Sequence, residues 1–339
     1  MNLILLESIQ TFLPPTLEDI DLDKSIIIKD EYDSELIVGR GAQLYQPEGA
    51  KRRGGQPAQA SWRNFLRAAV AESLGEGQHE KTLAFSAPQS QLEFFRGKSA
   101  RGVSTLTEEN VEIVKNTVSK IEFKHHPDED WKVCNLSIRE VPQVYFETAC
   151  VAMGIPQRYK TYLIWQLGFG DWQQLAVIDG KPEPTSMELV DGIHGAYKIF
   201  EQKTGLSKSQ TKIAWEQGQI PEVGGYNGKK TDASKHIIQS LGGYFNNRIG
   251  SMLNLIDPWR DRISHVVLAG GSSKDNKVLE VLSQEVEAEG LKVIPIFKIM
   301  EAENLPIKDP SFATILGLMS KADLLIDIGN SFIKVGVNK

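Results

Sequence analysis

Three glycine turns in this chain have the composition that handles phosphate. Leu163 to Val177 (LIWQLGFGDWQQLAV) and Leu324 to Val337 (LLIDIGNSFIKVGV) share one plan, in which apolar β-formers enter a turn anchored by Gly168 or Gly329 and a second strand leaves it. A turn at a strand end presents backbone N–H groups, which can cradle a phosphate. The third turn follows the apolar run Ile263 to Ala269 and reads Gly270-Gly271-Ser272-Ser273, ahead of a helical pattern from Val278. Paired glycines let a flat base or sugar approach the backbone, and the helix start adds N–H donors and a dipole suited to negative charge. The hairpin glycines are 329 − 168 = 161 positions apart. That is about one domain length, so duplicated domains facing each other across a cleft are expected, with two unrelated hairpins as the alternative.

These turns need strands and helices to hold them. The first third reads as short strands, Leu3 to Ile9, Ser25 to Lys29 and Glu35 to Val38, divided by Gly, Pro and acidic turn residues. Trp62, Phe65, Leu66, Ala69 and Val70 recur at helical spacing, as do Val111, Val114, Val118 and Ile121 after Thr107-Glu108. Thr82 to Ser86 reads as a buried strand. Further on, strands at Tyr162 to Trp165, Val266 to Ala269 and Val293 to Phe297 alternate with helices at Ile193 to Phe200 and Val278 to Val286. Such alternation implies α/β architecture with helix-covered sheets. Pro47 to Ala60 reads as a loop whose Lys51-Arg52-Arg53 is either simply solvated or meets a partner.

At 339 residues the chain is long for one core, so two domains are expected. Its 41% hydrophobic and 24% charged residues exclude fibrous, disordered and membrane classes. The net charge, 38 − 44 = −6, lacks the footprint of a nonspecific nucleic-acid binder. Two cysteines, Cys134 and Cys150, are too few for a disulfide framework or a four-thiolate zinc site, and His125-His126 and the other histidines show no metal-ligand spacing. The beginning of the chain has no early cation and carries Glu7 after Leu3 to Leu6, which signals neither secretion nor a membrane span; the cytoplasm is the expected location.

Asp327-Ile328-Gly329-Asn330-Ser331-Phe332-Ile333-Lys334 resembles the DxGxxxxK phosphate hairpin of the superfamily that joins actin, sugar kinases and the seventy-kilodalton heat-shock chaperones. The resemblance implies an α/β fold of two facing actin-like (ribonuclease H-like) domains with a nucleotide cleft between them, comprising 1–143 plus 309–339 and 144–308. It also implies Mg2+ with ATP or GTP, with Asp327 beside the metal and Gly329, Asn330, Ser331 and Lys334 at the phosphates. Gly168 and Gly170 fall in the second phosphate turn, Gly270, Gly271 and Ser272 resemble the adenosine motif, and Phe312 to Met319 resembles the small-residue helix of these domains, with Gly317 where helix meets sheet. Within the superfamily the likeness is strongest to the ParM family of plasmid-segregation filament proteins. Thr82 to Pro88, Glu109 to Lys120, Ser137 to Pro142 and Asp191 to Ala196 are each similar to a segment of that family. That implies self-assembly into filaments and an adaptor bound to plasmid DNA, with no direct nucleic-acid contact and no membrane.

Two departures from the family pattern stand out. Its opening hairpin lies here at the far end of the sequence, as in a circular permutation in which Val337 would run into Leu3. Its second hairpin, DxGxxTxD, here has Gln166 and Gln173 at the two Asp positions. Glutamine orients water without accepting its proton, so slow hydrolysis is expected, with Gln166 and Glu140 as catalytic positions and Asp171 as another base. Asp-Ile-Gly-Asn-Ser is also close to the opening hairpin of type III pantothenate kinases, so a metabolite kinase is one alternative and a non-hydrolysing nucleotide-binding scaffold another.

Overall fold

The computed structural model describes residues 1–13, 22, 24–45, 57–87, 103–220, 231–329 and 332–338. The chain packs as two units, Met1–Gly154 with Thr314–Lys339, and Ile155–Ala313. The Lys51–Arg53 loop lies outside the described residues, as do Asn330 and Ser331.

The first unit carries two six-stranded sheets. One runs in the order β1 (Asn2–Glu7), β19 (Phe332–Val337), β18 (Leu324–Ile328), β6 (Leu83–Ala87), β10 (Gln143–Phe146), β7 (Val103–Thr105). Its first three strands form an antiparallel meander in which Asn2 pairs with Val337 and Leu324 pairs with the same Val337 from the other side. The first and last described strands are therefore neighbours in one sheet. From β18 onward, β18, β6 and β10 are parallel. The second sheet runs β2 (Gln10–Phe12), β4 (Glu35–Gly39), β3 (Ser25–Lys29), β8 (Ile121–Lys124), β9 (Lys132–Ile138), β5 (Gly77–Lys81).

Helix α1 (Arg40–Tyr45) follows β4, and α2 (Ala60–Leu74) carries the expected apolar residues. Its burial is wider than an amphipathic stripe, taking in Asn64, Arg67, Ala68 and Ala71 as well. The cause is position: α2 touches β3, β4, β8 and β9 of one sheet and β1, β18 and β19 of the other. Helix α3 (Glu108–Val118) begins at Thr107, whose side chain accepts from the Asn110 amide as an N-cap does. Helix α4 (Glu147–Gly154) leaves β10 directly.

The second unit has a five-stranded sheet in the order β13 (Lys181–Asp191), β12 (Asp171–Ile178), β11 (Tyr162–Leu167), β16 (His265–Ala269), β17 (Lys292–Pro295), and a two-stranded ribbon of β14 (Gln219–Ile220) and β15 (Thr231–Asp232). Helices α5 (His194–Thr204), α6 (Lys208–Gln217), α7 (Ser234–Asn254), α8 (Asn276–Ala288) and α9 (Ile296–Ala302) accompany it. The core joins Trp165, Trp172, Phe200, Trp215 and Phe245 to apolar residues of α7 and α8. The strand expected over Val293 to Phe297 stops at Pro295, where α9 begins.

Helix α10 (Ala313–Leu318) returns the chain to the first unit. Gly317 is expected where helix meets sheet, and its tightest approach is to a helix. It lies against α4, where a Cβ would fall 1.7 Å from the Cys150 carbonyl oxygen. Only glycine fits so close an approach between two helix backbones.

Candidate functional site

Asp327 is the fourth residue of β18 and is fully buried. Its Cα partners are Lys334 on β19 and Ser86 on β6, and Ser86 pairs in turn with Tyr145 on β10. One row of residues thus crosses four strands. Lys334 Nζ and Thr314 Oγ1 each donate to Asp327 Oδ2, both at 2.7 Å. The Asp327–Lys334 pair is shielded, with side-chain exposures of 1% and 17%. Breaking such a pair from one side leaves a buried charge uncompensated, at a cost of about 3–5 kcal/mol. Asp327 Oδ1 is also buried, and among the described residues it has no hydrogen-bond partner.

The turn beyond it is braced by backbone. Gly329 N donates to Phe332 O at 2.9 Å, and Ser8 Oγ donates to Gly329 O at 2.7 Å, tying the residue after β1 to the turn. Because β18, β6 and β10 are parallel, Asp327 and the Gly329 turn stand at their C-terminal ends, where open α/β sheets bind ligands.

Glu147, which lies outside every motif named above, stands at the same edge. It is the residue after β10, two beyond Tyr145 of the Asp327 row, and only 6% exposed. Burial raises the Cys150 thiol well above its ordinary pKa, and the nearby Asp327 and Glu147 carboxylates raise it further, so both lie within electrostatic reach of one sulfur. The missed signal is a lone acid where an apolar strand (QVYF) passes straight into a helix with no turn residue.

Glu140 is elsewhere. It is exposed and follows β9, and the preceding Arg139 bonds the carboxylate of Asp323, just before β18. Four residue steps separate Asp323 from Asp327, about 13 Å along the sheet. Glu140 therefore belongs to the opposite end of the parallel strands from Asp327. Asp323 also accepts from the Thr82 amide and hydroxyl at 2.9 and 2.8 Å, and these bonds, with Arg139, lower its pKa to about 2.

In the second unit Gln166 and Gln173 are direct partners across the β11–β12 hairpin, and both are buried. Their neighbour Gln174 points to the other face and is structural: it accepts from Trp165 Nε1 and donates to the carbonyls of Ser186 and Met252. Gly168 N donates to Asp171 O at 2.8 Å, closing the turn. The carbonyls of Gly168, Phe169 and Gly170 accept from Ile193, His194 and Gly192, so the start of α5 clamps the turn. A Cβ at Gly192 would lie 2.5 Å from Gly168 O. Asp171 is half-buried, its Oδ2 3.4 Å from Gln173 Nε2.

At the third turn Gly270 has φ +91°, and a Cβ there would sit 2.5 Å from Leu167 O, so the glycine is sterically required. Gly271 is exposed and Ser272 half-buried in a short 3₁₀ turn. The α8 amides expected to face an anion are taken instead by Asp275, which accepts from Lys277 N and Val278 N.

The donor set at Asp327 fits a hydrated divalent cation. One carboxylate oxygen is fixed by Thr314 and Lys334, and the other has lone pairs to offer to donors such as metal-bound water. No group of three or more His, Cys, Asp or Glu side chains able to hold a metal occurs among the described residues. Asp327 would therefore hold the cation together with water and phosphate, as Mg2+ commonly is held. No described helix is long and apolar enough to cross a membrane.

No protein-family model matches the chain, and no curated protein does. Solved structures do. The chain is 15% identical to the archaeal actin homolog Ta0583, with 93% of this chain and 91% of that one covered and a TM-score of 0.61. A 15-stranded ParM filament from Clostridium botulinum is 16% identical with the same coverage and a TM-score of 0.61. Ta0583 in complex with ADP is 15% identical, with 86% and 87% covered and a TM-score of 0.55. The chain therefore has the two-domain actin-like fold.

Proposed function

We propose that this actin-like chain binds Mg2+ with ATP or GTP through the Asp327 hairpin, assembles with copies of itself into filaments, and hydrolyses its nucleotide slowly. The observation that carries the reading is Asp327: a buried carboxylate beside a glycine turn, at the C-terminal ends of parallel strands, whose Oδ1 has no hydrogen-bond partner among the described residues. Gly329, Asn330, Ser331 and Lys334 are assigned to the phosphates, with Gly168 and Gly170 as further phosphate contacts and Gly270, Gly271 and Ser272 at the nucleoside. Bound Mg2+ would neutralise phosphate charge and orient the transferring group.

Slow turnover follows from side chains. Gln166 and Gln173 face each other where the family pattern has acids, and an amide does not take a proton from water. Glu147 replaces Glu140 as the proposed base, because it is the carboxylate at the Asp327 edge of the sheet.

The strand order β1–β19–β18–β6 supports a circular permutation, since β18 and β19 lie beside β1 with Asn2 opposite Val337. The proposed role for the filaments is ParM-like segregation of plasmid DNA through an adaptor, supported by the fold shared with a ParM filament. Sedimentation of the full chain with Mg-ATP, Mg-GTP and no nucleotide tests assembly. Pelleting that requires one of the nucleotides supports it; a chain that stays in the supernatant in all three contradicts it.

A further inference from the structure

Ser86 is the Cα partner of Asp327 on the adjacent parallel strand, so both side chains leave the same face of the sheet. Ser86 is 5% exposed and Asp327 fully buried. Ser86 Oγ and Asp327 Oδ1 are both buried without a hydrogen-bond partner among the described residues, and Thr148 Oγ1, on the first turn of α4, is a third. Helix α4 packs on β6 and β10, so it covers this same end of the sheet. Leaving a buried polar atom unsatisfied is unfavourable. Two of them at directly paired positions on neighbouring strands are the arrangement of a site completed by a ligand.

The chemistry of the two oxygens defines that ligand. An ionised carboxylate only accepts, so the group facing Oδ1 must donate; a serine hydroxyl accepts or donates as needed. A metal-bound water has two protons and can donate one to each oxygen. We propose that Ser86 is a second holder of the hydrated cation, sharing with Asp327 Oδ1 a water of the metal's coordination shell. This rests on the nucleotide reading of the Asp327 hairpin and adds a residue that the hairpin motif does not contain. Thr314 and Lys334 saturate Oδ2 and thereby direct Oδ1 toward this role.

Mn2+ titrated into the full chain in the presence of ATP, and separately of GTP, with free Mn2+ read by electron paramagnetic resonance, provides the test. Ser86→Ala is expected to weaken Mn2+ affinity about tenfold, the low end for loss of an outer-shell partner. Ser86→Thr, which keeps the hydroxyl, is expected to restore it, and nucleotide affinity in EDTA is expected to be the same for all three proteins. Without ligand, Ser86→Ala is expected to melt no lower than the parent, because it removes an unsatisfied buried oxygen. If Ser86→Ala binds Mn2+ like the parent while Asp327→Asn loses it, Ser86 holds nothing and the hairpin reading stands. If Asp327→Asn also keeps parental affinity, or the parent takes up no Mn2+ with either nucleotide, the hairpin reading falls and this inference falls with it.

Discussion

A Cβ placed on Gly317 would lie 1.7 Å from the carbonyl oxygen of Cys150, so α10 and α4 meet backbone against backbone. Gly317→Ala therefore has to push two helices apart, and overpacking of this kind costs about 1–3 kcal/mol. Both helices carry residues of the Asp327 edge, Thr314 on α10 and Glu147 on α4. The variant is expected to unfold at lower urea with an unchanged m-value and to bind Mg-nucleotide more weakly. Urea titration followed by circular dichroism, paired with calorimetry, checks both.

The Asp323 carboxyl is held at about pKa 2 by the Thr82 amide and hydroxyl and by Arg139. This lies below the unfolded value of about 3.9. The ionised group thus adds stability above that value, and the contribution fades as pH falls from about 4 through 2. Asp323→Asn is expected to be less stable than the parent at pH 7, with the gap closing at pH 2–3. Urea midpoints for both proteins across that range test it; a gap that does not change with pH contradicts the assignment.

Hydrolysis separates the carboxylates. A placed general base is worth about 10²–10⁴ in rate. Glu147→Gln is expected to lower phosphate release by about that factor with nucleotide affinity retained, whereas Glu140→Gln leaves it unchanged. Gln166→Asp is expected to raise it. Phosphate release at saturating Mg-nucleotide decides among them; an effect of Glu140→Gln equal to that of Glu147→Gln would remove Glu147 from the role.

The pairing of Asn2 with Val337 makes the order of the strands testable. A rearranged chain that begins at Lys321, joins Lys339 to Met1 through a short glycine linker and ends at Ser320 is expected to fold with the parental circular dichroism spectrum and bind the same nucleotide. Ser320 and Lys321 are exposed, so new ends there disturb little. Loss of cooperative unfolding would count against the permutation.

Much of this fold is legible in the residues because local signals agree with tertiary placement. Thr107 caps α3 as its hydroxyl and the following glutamates indicate, and the Gly168 and Gly329 turns fall where apolar strands stop. Other elements are obscured. Strand β13 contains Pro182 and Pro184, which speak against a strand, yet it is an edge strand, where missing donors cost little. Helix α7 runs through Gly242, Gly243 and Gly250, and its helicity comes from the core it covers rather than from propensity. Glu147 and Ser86 belong to no local pattern; only strand pairing brings them to Asp327, and pairing between β6, β10 and β18 is not written in any one segment.

Calorimetric titration of Mg-ATP and Mg-GTP into the full chain and into Asp327→Asn tests whether the Asp327 carboxylate holds the nucleotide's metal. The amide keeps the shape of the side chain but loses its charge, so circular dichroism is expected to show a folded protein in both cases. The parent is expected to bind at least one Mg-nucleotide saturably and the variant to lose about tenfold or more in affinity, consistent with removal of a metal partner. Equal binding by parent and variant, or none by the parent, would contradict it.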